Sequence, residues 1–177
     1  MVSFGAVKLA GAVLFVAATT SMGLTAARRL ADKARFLEEV DSALGILGTE
    51  IGYCGAPLAQ ALARAADSSR GLAGTMMLRS AAVLSDSAGS TAGEVFRQAL
   101  QEVKDMGLLD DTPFSILWAF SSGLGASSRN DQMRLLEATR EKLRLEAARA
   151  REQQVRESKL YCYLGLLGGV AVVLALY

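Results

Sequence analysis

The stretch Leu37–Ala66, LEEVDSALGILGTEIGYCGAPLAQALARAA, decides how the rest of the chain is read. Its first half places apolar residues at Leu37, Val40, Leu44, Leu47 and Ile51, in steps of three and four, which is the stripe of an amphipathic helix. Gly55 ends that helix, since glycine enters the left-handed conformation of a helix C-terminus without strain. Pro57 restarts the chain at a first helical position, where a missing N–H does no harm. Leu58, Ala61, Leu62 and Ala65 then line one face of a second helix. The segment around Glu50–Leu58 is therefore predicted to be the corner of a helical hairpin. Ile51 belongs to the buried stripe, while Glu50 and Tyr53 lie beside and beyond it, so the corner presents these two.

The same periodicity continues toward the C-terminus. A third helix is predicted near Leu72–Leu84, with Met76, Met77 and Val83 in the core, closing in the polar run SDSAGST. Thr91 and Glu94 have the spacing of a capping box and open a fourth, on which Val95, Phe96, Ala99, Leu100 and Val103 repeat helically. Gly107 and the run DDTP break the pattern. Thr112 and Pro113 begin a fifth helix carrying Phe114, Leu117, Trp118 and Phe120, ended by Gly123 or Gly125. From about Arg129 no proline or glycine interrupts the chain until its last apolar run, so one long helix is expected, with the stripe Met133, Leu136, Leu143, Ala147 and Ala150. No segment alternates apolar and polar residues over a strand length. The fold class is all-α, an antiparallel bundle of about six helices joined by short connections.

The two ends point to a membrane. Hydrophobic residues make up 51% of the 177, which is high for a soluble domain. Leu9–Ala27 is uncharged and about as long as a hydrocarbon core requires, and Leu160–Tyr177 is uncharged again. Arg28, Arg29, Lys33 and Arg35 follow the first run, and Arg149, Arg151, Arg156 and Lys159 precede the second. Basic clusters flanking the middle on both sides place it in the cytoplasm and favour a retained anchor over a cleaved signal. The expected organisation is an N-terminal transmembrane helix over 1–27, a cytoplasmic bundle over 28–159 and a C-terminal transmembrane helix over 160–177, with Tyr161, Tyr163 and Tyr177 at the interfaces. Gly165 and Gly169 stand at small-xxx-small spacing with Gly168 beside them, a pattern that lets another helix approach closely. Self-association of the spans is one way to use it, although glycine is common in membrane helices in any case.

The residues for catalysis are sparse. There is no histidine, and two distant cysteines cannot make a zinc site. With 19 basic and 18 acidic residues, no net field favours nucleic acid. GLAGT and GSTAGE lack the lysine of a phosphate-binding loop. Ser121, Ser122, Ser127 and Ser128 have no base nearby and read as caps and loop residues. Glu102, Asp105, Asp110 and Asp111 lack the ligand spacing of a calcium loop and read as acids at a helix start. Cys54 has no positive neighbour in sequence to activate it, so it reads as inert. No cofactor or metal is expected.

Two terminal spans, TEIGYCGAPLAQAL, GLGASSRNDQ and the charged helix ending in SKLYCYLGLLGGVAVVLAL together resemble the stage III sporulation protein AB family of endospore-forming bacteria, over the whole chain. Glu50, Ile51, Tyr53, Pro57 and Leu58 satisfy the family's pattern at the corner. In the loop before the last helix the family usually carries an aspartate soon after a leucine and glycine. Here Ser128 stands near that place and Asp131 follows. The resemblance implies a noncatalytic membrane component of the channel that links mother cell and forespore. Its soluble domain would lie in the mother-cell cytoplasm and be similar to the F-type domains of type II secretion platform proteins. The implied partners are the secretion-type ATPase of the same complex, other membrane proteins of the channel and the lipid bilayer. Glu50, Tyr53, Pro57, Leu58, Gly125 and Asp131 are the candidate partner contacts, and Gly165, Gly168 and Gly169 the candidate packing positions in the span. A small channel or transporter subunit formed by the two spans is the alternative, against which stands the lack of ionisable residues within them. A membrane-tethered enzyme using Glu50 is a third.

Overall fold

The computed structural model describes the backbone of residues 4–86, 89–125 and 128–176 and, within it, the side chains of residues 17, 18, 20–86, 89–125, 128–157, 163 and 167. All regular structure among the described residues is helical. Helix α1 spans Phe4–Thr49 and passes into a π-helical turn, Glu50–Cys54. The others are α2 (Leu58–Ser68), α3 (Gly71–Asp86), α4 (Ala92–Asp105), α5 (Asp111–Gly123) and α6 (Arg129–Leu176). The helical backbone of α1 continues through the basic cluster at Arg28 and Arg29. Arginine and lysine are good helix formers, so a change from apolar to charged sequence does not end a helix.

The chain divides into two compact units, one formed by Met1–Asp32 with Ala150–Tyr177 and the other by Lys33–Arg149. In the first, the expected spans fall largely on side chains outside the description, as do Tyr161, Cys162, Gly165, Gly168, Gly169 and Tyr177. Among the described residues no helix is long and apolar enough to cross a membrane.

The second unit is the bundle. Val40, Leu44 and Leu47 of α1, Leu62 of α2, Met77 of α3, Phe96 and Leu100 of α4, Leu117 of α5 and Leu143 of α6 are fully buried in it. Consecutive helices pack together, α2 on α3, α3 on α4 and α4 on α5, as short connections favour. Phe96 and Phe120 meet edge to face at 5.6 Å between ring centroids, tying α4 to α5. Helix α6 closes on α1, where Arg140 Nε donates to the Asp41 carbonyl at 3.2 Å and to its carboxylate at 2.9 Å. Arg144 reaches the other carboxylate oxygen at 3.0 Å.

Several expectations are corrected in detail. Val83 is 40% exposed, because α3 buries Ala73, Met76, Met77, Ser80 and Ala81 and its stripe continues to half-buried Leu84. Pro57 is the N-cap of α2 and Leu58 its first helical residue. Helix α5 starts earlier, at Asp111 after the N-cap Asp110, which puts Pro113 in its first turn. Ser121 and Ser122 belong to the last turns of α5, their hydroxyls donating to the carbonyls of Trp118 and Ala119. On α6, Leu136, Leu143 and Ala147 are buried, whereas Met133 and Ala150 are half-buried. Thr139 fills the gap in that stripe, its hydroxyl donating to the Leu135 carbonyl at 2.7 Å.

Candidate docking site at the helical corner

The hairpin corner begins where α1 widens into its π-helical turn. Ile51 stays in the core, 8% exposed, and anchors the turn. Gly55 takes the left-handed conformation at φ 62°, and its N–H and that of Ala56 both reach the Glu50 carbonyl. This is how a helix end satisfies a carbonyl that has lost its regular partner. The chain reverses and α2 starts behind Pro57, whose carbonyl accepts from the Ala61 N–H at 2.9 Å.

Glu50 does not project freely. Its carboxylate accepts from Arg64 Nη1 of α2 at 2.6 Å, with the Glu50 side chain 16% exposed and that of Arg64 48%. The pair clamps the two arms of the corner. Tyr53 lies beyond it at 87% exposure, the highest among the large apolar side chains that are described. Cys54 is exposed and free beside it.

The loop before α6 comes to the same end of the bundle. A Cβ on Gly125 would stand 3.4 Å from Leu58 Cδ2 and equally close to the Ala92 Cβ. Ser128 caps α6: its carbonyl accepts from the Gln132 N–H at 2.9 Å, and its hydroxyl donates to the Asp131 carboxylate at 2.7 Å. Asp131 also sits in the first turn, where a helix N-terminus favours negative charge. Arg129, the first residue of α6, reaches back, and its guanidinium lies over the α-carbon of Gly55. Ser127 lies outside the described residues.

Helix α4 starts at this end as well. The Thr91 N–H donates to the Glu94 carboxylate at 2.9 Å and the Glu94 N–H to the Thr91 hydroxyl at 3.3 Å, the reciprocal capping box. The Thr91 backbone N–H, then the Thr91 hydroxyl, hold the Glu94 carboxyl below the usual carboxylate range, with Arg97 adding a smaller pull. The acids around the junction of α4 and α5 are dispersed. Asp110 pairs with Lys33 at 2.6 Å, Asp111 with Lys104 at 3.0 Å, Glu102 with Arg79, and Asp105 accepts from Gln101 at 3.0 Å.

The structure thus gathers Glu50, Tyr53, Pro57, Leu58, Gly125 and Asp131 at one end of the bundle, and divides them by role. Tyr53, Pro57, Gly125 and Asp131 are exposed, Leu58 is half-buried, and Glu50 is engaged within the corner. Two participants escaped the sequence reading. Arg64 is fourteen residues from Glu50, a separation with no sequence signature. Arg129 was legible as the start of the last helix, with nothing to show that it folds back on Gly55. What this end can do chemically is bind: it offers an aromatic ring, a guanidinium and polar backbone on a fixed scaffold.

The model of the family described as stage III sporulation protein AB matches residues 8–177 of this chain. A relative of that name from Bacillus subtilis (strain 168) is 28% identical over 169 residues, covering 96% of this chain and 98% of the relative. A solved structure of a stage III sporulation protein AB is similar in fold, with a TM-score of 0.64 at 23% identity over 71% of this chain and 98% of that one. These names describe a sporulation protein and no enzyme. They agree with the resemblance drawn from the corner and the two ends.

Proposed function

We propose, from the premise that this chain belongs to the stage III sporulation protein AB family, that it is a noncatalytic membrane platform of the channel joining mother cell and forespore. In this reading the bundle docks a secretion-type ATPase in the mother-cell cytoplasm. The terminal apolar segments anchor the chain in the membrane and meet other proteins of the channel. The observation that carries the docking role is the corner itself: an ion-paired, glycine-capped turn that leaves Tyr53 87% exposed. A large aromatic held outside a clamped turn loses little conformational freedom on binding, which is the economy of an interface anchor. Positioning rather than chemistry also suits a chain without histidine.

Co-purification of the full chain, reconstituted in lipid nanodiscs, with the ATPase is the direct test. A photo-cross-linker at Tyr53 should capture the ATPase, and one at Leu78, on an exposed position of α3, should not. Failure of the wild-type chain to bind at micromolar concentration would overturn the docking role.

A further inference from the structure

The charges at the docking end have a bookkeeping of their own. Glu50 and Arg64 neutralise each other across the corner. Asp131 is held by the Ser128 hydroxyl in the first turn of α6. Arg129 is different: it is exposed, and among the described residues no carboxylate forms an ion pair with it.

Its guanidinium lies against the turn. A Cβ on Gly55 would stand 2.8 Å from Arg129 Nη2, so the absence of a side chain there leaves the space the guanidinium occupies. This puts a guanidinium with no ion-pair partner among the described residues two residues along the turn from the 87% exposed ring of Tyr53. Tyrosine and arginine are, with tryptophan, the side chains enriched among interface anchors, tyrosine for its rigid amphipathic area and arginine for a planar fork that fits a carboxylate with two hydrogen bonds. A guanidinium without its own counter-ion contributes most to a partner that brings one.

We propose that Tyr53 and Arg129 form a two-point anchor for a protein partner that presents an apolar pocket with a carboxylate at its rim. The tyrosine ring enters the pocket, and the arginine pairs with the rim carboxylate. Glu50 and Arg64 hold the corner beneath them and do not reach the partner. This rests on the platform reading and gives the docked partner its chemistry.

Binding of the full chain in neutral-lipid nanodiscs to the secretion-type ATPase, followed by interferometry at low and high salt, tests it. Tyr53→Ala and Arg129→Glu should each weaken binding about thirtyfold, the size of losing a central anchor. Arg129→Lys should weaken it less than Arg129→Glu, since the charge survives without the fork. Wild-type binding should weaken with salt, and Arg129→Ala should lose much of that dependence. Met106→Ala, exposed at the far end of α4 roughly 20 Å along the helix, should bind as wild type. Both anchor side chains are exposed, so melting of the variants should match wild type.

Wild-type binding that Tyr53→Ala and Arg129→Glu leave within about threefold, far below a hot-spot loss, overturns the anchor and leaves the platform reading standing. No wild-type binding at all removes both. An Arg129 effect that appears only with anionic lipid in the nanodisc assigns the guanidinium to a phosphate and overturns the carboxylate partner.

Discussion

At Gly55 two demands meet on one α-carbon. The residue sits at φ 62°, and its open face is filled by the Arg129 guanidinium. Gly55→Ala should therefore destabilise the bundle by about 1–2 kcal/mol through backbone strain. Adding Arg129→Ala should recover little of that, because the guanidinium is the movable end of a long side chain whereas φ is not; urea midpoints of the two variants decide it. The capping box gives a prediction with a pH sign. Thr91→Ala should cost about 1 kcal/mol at neutral pH. Glu94→Gln keeps a hydrogen-bonding side chain but no titration. Because Thr91 lowers the folded pKa of Glu94, the wild-type advantage over Glu94→Gln is complete above the unfolded pKa. It shrinks as pH falls through the lower, folded pKa. Paired urea titrations from neutral to acid pH should show this gap closing, and a gap that widens in acid would refute the assignment. The two sites also mark what sequence can show about single residues. Thr91 and Glu94 were legible because their bonds close within three residues. Glu50 was legible as a corner acid but not as the partner of Arg64, since that pair depends on how the π-helical turn aims α2.

The contact between α1 and α6 is made close by small residues. Gly45 and Gly48 of α1 and Gly52 of the π-helical turn recur in steps of three and four and lie against Arg140, Leu136 and Met133 of α6. A Cβ on Gly48 would stand 3.1 Å from Leu136 Cδ2, tight but against a side chain that can shift. Gly48→Ala should come out near neutral, the squeeze offset by roughly 1 kcal/mol of gained helix propensity. Gly48→Val should cost about 1–3 kcal/mol, since a branched side chain has to push Leu136 into a packed core. Thermal unfolding of both variants separates the cases, and equal melting points would mean the helices are not in register there. The spacing of these glycines is visible in GILGTEIG, so a search for small residues on one helix face would have found the contact. The six helices were legible for a related reason: burial on one side leaves a period in the sequence, and glycine or proline marks most ends. Exact starts were less so. Asp110 caps α5 without a side-chain hydrogen bond, leaving Pro113 as the more visible but later signal.

At the scale of the molecule, Lys33–Arg149 is a compact unit with a core contributed by all six helices. The remaining residues, Met1–Asp32 and Ala150–Tyr177, form the other unit and contain both uncharged runs. The division of labour proposed above follows from this partition. A unit whose side chains fill a common core should fold without a bilayer, whereas the uncharged runs should hold the chain in one. A fragment of residues 33–149 should therefore be soluble and unfold in a single cooperative transition. The full chain should stay with membranes after alkaline carbonate washing. Removing only the first run should not release it if the second also spans, and removing both should. Recovery of the full chain in the carbonate supernatant would sink the anchoring role. A fragment that melts without a cooperative transition would show instead that the bundle needs the terminal segments to complete its core. Charge supplies a further control: replacing Arg28 and Arg29 by glutamine should weaken the charge bias that, in the proposed topology, would keep the middle in the cytoplasm. If that bias sets the topology, a reporter at Gly125, between α5 and α6, should become partly accessible from the opposite side of the membrane.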